Sequence, residues 1–259
     1  MNDQALQVLV VGAHPDDADI RAGGVTALYA DRGHSVKMVS LTNGDAGHHE
    51  IGGAPLAWRR RREAAEAGAC LGAEYVTLDN HDGELQPTLA IRRQVVGLIR
   101  AFDPDLILGP RPWDYHPDHR ATAELLVDAI YMTTVPNFCS DVPHLRSMPV
   151  LAYVYDHFER PYPFAPDVAI DVDAAMPRKM DALACHESQV YEWLPYNRNA
   201  LDGVPVEDSA RRAWLEAWYG ERFTGLAERY RDLLVRRYGP DRGRRVRFAE
   251  AFEISEYGD

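Results

Sequence analysis

The chain has 259 residues, 46% hydrophobic and 26% charged, and its 28 Lys and Arg against 40 Asp and Glu give a formal net charge of −12. That acidity argues against nucleic acid or an anionic membrane as the main partner, and leaves small neutral substrates open. Cys70, Cys139 and Cys185 form no CxxC and no disulfide framework, and the start of the chain has neither a basic n-region nor an apolar run long enough for a signal peptide or a membrane span, so a cytoplasmic protein is expected.

The Val-rich run LQVLVVGA (6–13) reads as a buried parallel strand. GGVTALYADRG (23–33) follows as a helix ending at Gly33, and SVKMVSLT (35–42) as a second strand. PLAWRRRREAAEAGACLG (55–72) is a helix with Ala, Leu and Cys on one face and arginines on the other. EYVTLD (74–79) is a third strand, and TLAIRRQVVGLIRAFD (88–103) a helix with helically spaced apolar residues. PDLILGP (104–110) is a short apolar strand between prolines, and DHRATAELLVDAIYM (118–132) a helix with Asp118 as its N-cap. Strands are expected at 150–157 and 167–173, and helices at 174–188 and 207–238. VRFAEAFEIS (246–255) reads as an edge strand or a terminal tail.

Strands thus alternate with helices over the first two thirds, the signature of βαβ units and a mostly parallel sheet. The expectation is an α/β, doubly wound sheet in the order 3-2-1-4-5-6. One domain over residues 1–259 is expected, with a core of about 6–190 and a helical extension of about 191–259.

In such a sheet ligands bind beyond the carboxyl ends of the strands, where the strand order reverses. The loop after the first strand is HPDD (14–17), and the loop after the fourth contains HPDH (116–119). A dinucleotide site would carry GxGxxG after the first strand; here two carboxylates would repel a pyrophosphate. GxxxxGK[ST] and GxSxG are also missing. The cluster His14, Asp16, Asp17, His116, Asp118 and His119 instead suits a divalent metal. Two imidazoles and a carboxylate hold zinc with one coordination position open, and lower the pKa of bound water to about 7. A second carboxylate accepts the water's proton, and a remaining histidine protonates a leaving group or stabilises an oxyanion. Those parts make a metal-assisted hydrolase of an amide or ester. The plainer alternative stays open: an Asp at a strand end is a turn former, and HPDH caps the helix behind Pro117.

At these residues the chain resembles a known family. AHPDDADIRAGG (13–24) resembles the AHPDDxxxxxGG signature of the PIG-L/LmbE-like zinc N-deacetylases, and HPDHRAT (116–122) their second signature. NGDAG, RRRE, DNHDGEL, KMDALACHESQ and FAEAFEISEYG match in order along the chain. The resemblance implies a Rossmann-like fold and removal of acetyl groups from N-acetylglucosamine units. It implies zinc bound by His14, Asp17 and His119, with Fe2+ or manganese as alternatives, and Asp16 as general base. It implies His116 at the oxyanion or amine with Asp118 orienting it, and Arg60, Asp82 and, less directly, Asp45 at the sugar hydroxyls. The implied partner is a small acetylated sugar or glycoconjugate, with no nucleic acid or membrane, in a homo-oligomer such as a trimer or hexamer. Competing readings are an amidase or esterase with a non-sugar substrate, and a non-catalytic binding protein. Which of Arg59–Arg62 faces the pocket, and what Asp114, His48, His49, His81 and His186 do, is not fixed by the pattern. Trp58, Trp113 and Tyr115 are candidates to stack on a sugar ring.

Overall fold

The computed structural model describes residues 5–258, with the side chains of all of these but 221 and 222. The first four residues, part of the stretch that argued against a signal peptide, lie outside them.

Strand β1 (Gln7–Gly12) is buried on both faces, because successive side chains of a strand point to opposite sides. Val8 and Val10 enter one core, together with helices α1 (Asp17–Ala30), α2 (Ala54–Leu71) and α5 (Met176–Cys185). Leu9 and Val11 enter the other, together with α3 (Leu89–Phe102) and α4 (Pro117–Met132). The remaining strands are β2 (Ser35–Thr42), β3 (Glu74–Asn80), β4 (Leu106–Gly109), β5 (Val150–Val154), β6 (Val168–Asp171) and β7 (Ala249–Ile254). They form one sheet in the order β3-β2-β1-β4-β5-β7-β6, parallel from β3 through β5.

The expected 3-2-1-4-5-6 order is corrected at its far end. β7 inserts between β5 and β6 and runs antiparallel to both, so it is an inner strand and not an edge or a tail. The charged Glu250 in mid-strand disguises it. That carboxylate is 2% exposed and receives Lys179 Nζ at 2.7 Å.

The same pair explains the Gly-Gly of the first signature. Helix α1 starts at Asp17, well before the glycines, and loses helical geometry at Ala22 (φ −138°, ψ 15°). Gly24 N and Val25 N donate to Glu250 Oε1 and Oε2, each at 2.8 Å, in place of helix carbonyls. Lys179 Nζ donates to Ile20 O at 2.9 Å. The ion pair therefore satisfies the backbone groups that the break would leave bare. A Cβ on Gly24 would lie 2.8 Å from Val172 Cβ and 2.9 Å from Glu250 Oε1, so no larger residue fits there.

Two expected helices are shorter than their patterns. The one at 174–188 stops at Cys185, and a π-helical stretch, Ser188–Trp193, runs on into α6 (Leu194–Asn197). The one at 207–238 breaks at Tyr230 into α7 (Asp208–Arg229) and α8 (Arg231–Tyr238). Leu215, Tyr219 and Phe223 of α7 pack on Met176, Met180 and Leu183 of α5, which seats the extension against the sheet layers. The three cysteines are free. Among the described residues no helix is long and apolar enough to cross a membrane.

Candidate metal centre and active site

The two HPD loops leave neighbouring strands, β1 and β4, whose following helices lie on opposite faces of the sheet, and a crevice opens between them. The first loop is held tightly. Ala13 O accepts from Thr42 N at 2.9 Å and from Thr42 Oγ1 at 2.7 Å. Asp17 Oδ2 accepts from the N–H groups of Ala13 and His14 at 3.0 and 2.9 Å. A Cβ on Gly12 would come within 2.6 Å of Asp17 Cβ, so this closure needs glycine. In the second loop Asp114 Oδ1 accepts from His116 N, and His116 Nδ1 accepts from Asp118 N at 3.2 Å. The N-cap of α4 is therefore His116 rather than Asp118.

Three donor atoms from the two loops form a nearly equilateral triangle. His14 Nδ1 lies 3.4 Å from Asp17 Oδ2, His119 Nε2 lies 3.3 Å from Asp17 Oδ2, and the two imidazole nitrogens are 3.3 Å apart. A tetrahedral ion with bonds of about 2.1 Å needs ligands about 3.4 Å apart, so the donor set suits a divalent ion with one coordination position left open. Two further groups share His14: His14, His116 and His119, and His14, Asp82 and Asp118, each with donor atoms within 4.8 Å of one another.

The opposite ring nitrogens favour the triangle. His14 Nε2 meets Asp118 Oδ2 and Asp82 Oδ1, both at 3.1 Å, and His119 Nδ1 meets Asp114 Oδ2 at 3.1 Å. A metal-bound imidazole characteristically gives its second N–H to a carboxylate, which fixes tautomer and orientation. Asp118 is fully buried and also accepts from Gly83 N and Leu85 N. Its carboxylate thus orients His14, not His116 as the resemblance implied; only its backbone N–H serves His116. Burial disfavours charge on both imidazoles of the triangle, yet the surrounding carboxylates win. His14 is pushed well above the ordinary histidine value and His119 to about 9. Burial alone would raise Asp17, but His119 and His14 hold it well below the ordinary aspartate value. The centre is built to stabilise positive charge.

Asp114 was an open question in the sequence, and its place beside His119 gives it work. Asp114→Asn is expected to weaken metal affinity about 10- to 100-fold, with the fold intact, as measured by competition against a chromogenic chelator.

A cleft of about 420 Å³ runs over the centre. Asp16 lines it, with Oδ1 3.3 Å from Arg60 Nη2. Burial raises the Asp16 pKa, Arg60 opposes the rise and Asp17 adds to it. Arg60 is the arginine that faces inward, 2% exposed; Arg61 and Arg62 are solvated, and Arg59 pairs with Glu63 and Glu192. Arg60 Nη1 donates to Gly44 O and lies 3.6 Å from Asp82 Oδ2, while its Nε has no partner. Asp82 lines the cleft; burial would raise its pKa, but His14 and Arg60 bring it down to about 2. Asp45 does not line it. Its Oδ1 accepts from Asp82 N and its Oδ2 meets His81 Nδ1 at 2.6 Å, so it braces the loop behind Asp82. His116 lines the cleft with its ring edge-on to His14, centroids 4.5 Å apart, and burial together with its cationic neighbours lowers its pKa.

Of the histidines left open by the sequence, His48, His49 and His186 stay outside the cleft. His48 meets Glu192, His49 stacks on Tyr196, and His186 is buried against Asp19. Of the three aromatic candidates only Tyr115 lines the cleft; Trp58 is 64% exposed beneath Arg62, and Trp113 packs on Tyr162. Gln189 and Trp193 of the π-helical stretch also line it. No periodicity announces them, since helical spacing fails at that segment.

The family model described as "PIG-L: GlcNAc-PI de-N-acetylase" matches residues 9–130, which include both loops. Diacetylchitobiose deacetylase of Thermococcus kodakarensis is 34% identical over 209 residues, covering 74% of this chain and 75% of its own. The 4-oxalmesaconate hydratase of Pseudomonas putida is 27% identical over 209 residues, covering 78% and 81%. Among solved structures, N,N'-diacetylchitobiose deacetylase from Pyrococcus horikoshii matches with a TM-score of 0.74 at 26% identity, over 97% of this chain and 84% of that one. The family match takes in both loops, and the 34% identity to the Thermococcus protein extends over 74% of this chain; the chain belongs to the PIG-L family.

Proposed function

We propose that this chain is a metal-dependent hydrolase that removes the N-acetyl group from an N-acetylglucosamine-type sugar. The observation that carries the reading is the triangle of His14 Nδ1, Asp17 Oδ2 and His119 Nε2, with Asp16 beside it in the same cleft. The likeness to a diacetylchitobiose deacetylase supports the sugar substrate.

A divalent ion on the three ligands, zinc or ferrous iron by donor type, supplies Lewis acidity and a water of lowered pKa. Asp16 takes the proton of the attacking water, and Arg60 holds that carboxylate in place. The water oxygen bonds to the acetyl carbon as the carbon–nitrogen bond breaks; acetate leaves and the sugar nitrogen gains a proton. That proton is the one Asp16 took, passed on to the leaving nitrogen. His116, whose Nδ1 accepts from Asp118 N, is neutral with its proton on Nε2 and gives it as a hydrogen bond to the developing oxyanion. Arg60 and Asp82 on the cleft wall meet hydroxyls of the sugar, and Tyr115 and Trp193 offer ring faces.

The hydratase relative favours a second reading, addition of water to an unsaturated carboxylate, with Asp16 again taking the proton of the attacking water. The deciding experiment measures metal content together with acetate release from N-acetylglucosamine, its β-1,4-linked dimer and simple glycosides. The expected result is about one divalent ion per chain and acetate release that a chelator abolishes and added metal restores. Turnover that survives complete metal removal would overturn the metal mechanism. Hydration of unsaturated carboxylates, or hydrolysis of non-sugar amides, without acetate from any sugar would replace the substrate.

A further inference from the structure

Beyond the metal centre, the cleft does not end at the sugar-sized space. A second cavity of about 540 Å³ adjoins it, and His157, Arg198 and Tyr219 line both. Together they exceed what one acetamido sugar fills, since sites of 300–1,000 Å³ hold whole drug-sized ligands. The second cavity adds Tyr155, Trp218 and Arg229.

The fully charged groups of the second cavity's described lining are both basic, whereas acids and bases mix in the first. The catalytic end is lined by Asp16, Asp17 and Asp82. Among the described residues no Asp or Glu lines the second cavity, in a chain of net charge −12. Several arginines of this molecule are paired with carboxylates: Arg59 with Glu192, Arg111 with Asp156, Arg242 with Asp171. Arg198 and Arg229 are held differently. Arg198 lies over the Trp218 ring at 5.5 Å, and Arg229 lies over Tyr155 at 6.0 Å while donating to its hydroxyl at 3.3 Å. Neither meets a carboxylate among the described residues. Stacking orients a guanidinium yet leaves most of its N–H donors for an incoming oxyanion. These residues also lie outside the stretch 9–130 that the family model matches.

We propose that this second cavity is a subsite for an anionic substituent, a carboxylate or a phosphate, on the carrier attached to the sugar, with Arg198 and Arg229 as its ligands. The proposal rests on the sugar deacetylase reading, and names the carrier's chemistry. The neutral acetamido ring sits at the metal end, and the charged end of the carrier reaches across Tyr219 to the two arginines.

The test uses the metal-loaded protein and N-acetylglucosamine glycosides of both anomers bearing phenyl, 4-carboxyphenyl or 4-phosphonooxyphenyl groups. Acetate release gives kcat/KM for the native chain, Arg198→Gln and Arg229→Gln. Calorimetric titration with the same compounds gives Kd whether or not they turn over. The expected result is roughly 10-fold or greater preference for a charged over the phenyl glycoside, as hydrogen bonds between charged groups give, with either substitution removing most of it. The phenyl glycoside is expected to react equally well in the native chain and in Arg229→Gln, whose side chain lines only the second cavity. The better of the two charged compounds identifies the oxyanion. Equal kcat/KM and equal Kd for charged and neutral glycosides would make the arginines solvated surface and overturn the subsite, with the deacetylase reading intact. No acetate from any glycoside would overturn the deacetylase reading, and the Kd values would then still decide the subsite.

Discussion

Asp16→Asn is expected to keep its full complement of metal and lose activity by about 10²- to 10⁴-fold, the range that a positioned general base contributes. Asn preserves the shape of the side chain and an oxygen acceptor for Arg60 Nη2, now 3.3 Å from Asp16 Oδ1. What it removes is the site that takes the proton. The neighbouring change separates the two aspartates. Asp17 Oδ2 is one corner of the donor triangle and also holds the N–H groups of Ala13 and His14, so Asp17→Asn is expected to lose metal and loop geometry together. Metal analysis beside single-turnover kinetics checks both. Loss of metal from Asp16→Asn with retention in Asp17→Asn would exchange the two roles.

Lys179→Met is expected to destabilise the protein by about 3–5 kcal/mol, the cost of leaving a buried charge without its partner. Lys179 is fully buried and Glu250 is 2% exposed, with Nζ and Oε1 2.7 Å apart. Removing the ammonium strands the carboxylate in the core and takes the donor from Ile20 O. Glu250→Gln is expected to cost less in the Lys179→Met background than in the native chain, since the amide needs no countercharge. Urea unfolding midpoints of the two single variants and the double variant measure this coupling. A loss below about 1 kcal/mol for Lys179→Met would mean that solvent reaches the pair.

The sheet from β1 to β5 was readable because Val8–Val11 and Ile107–Leu108 are continuous apolar runs and Val36–Leu41 is broken only by Lys37 and Ser40, as befits strands covered on both faces. The donor residues were readable for a similar reason: two HPD motifs stood at the ends of strands that the topology brings together. β7 was not readable as an inner strand, because Glu250 looks solvated until Lys179, far away in sequence, is placed against it. Nor was the division of labour among the carboxylates. Asp114 meets His119 Nδ1 while Asp118 and Asp82 both meet His14 Nε2, a three-dimensional fact with no periodic trace. Arg60 was singled out among the four arginines 59–62 by motif, while its burial follows from the register of α2. Trp193 and Gln189 were hidden by the π-helical stretch.

The position of β7 has a consequence for synthesis. β6 pairs only with β7 among the described strands, and Glu250 on β7 completes the break in α1 whose first residue is Asp17. Synthesis runs from the amino end, so Asp17 is made well before its brace. A ribosome-bound chain that has not yet reached β7 carries the whole donor triangle, yet has an unbraced first helix and an uncapped row of N–H and C=O groups along β5. The order of the first helix therefore waits on β7, and until that strand is in place the open edge favours pairing with other chains.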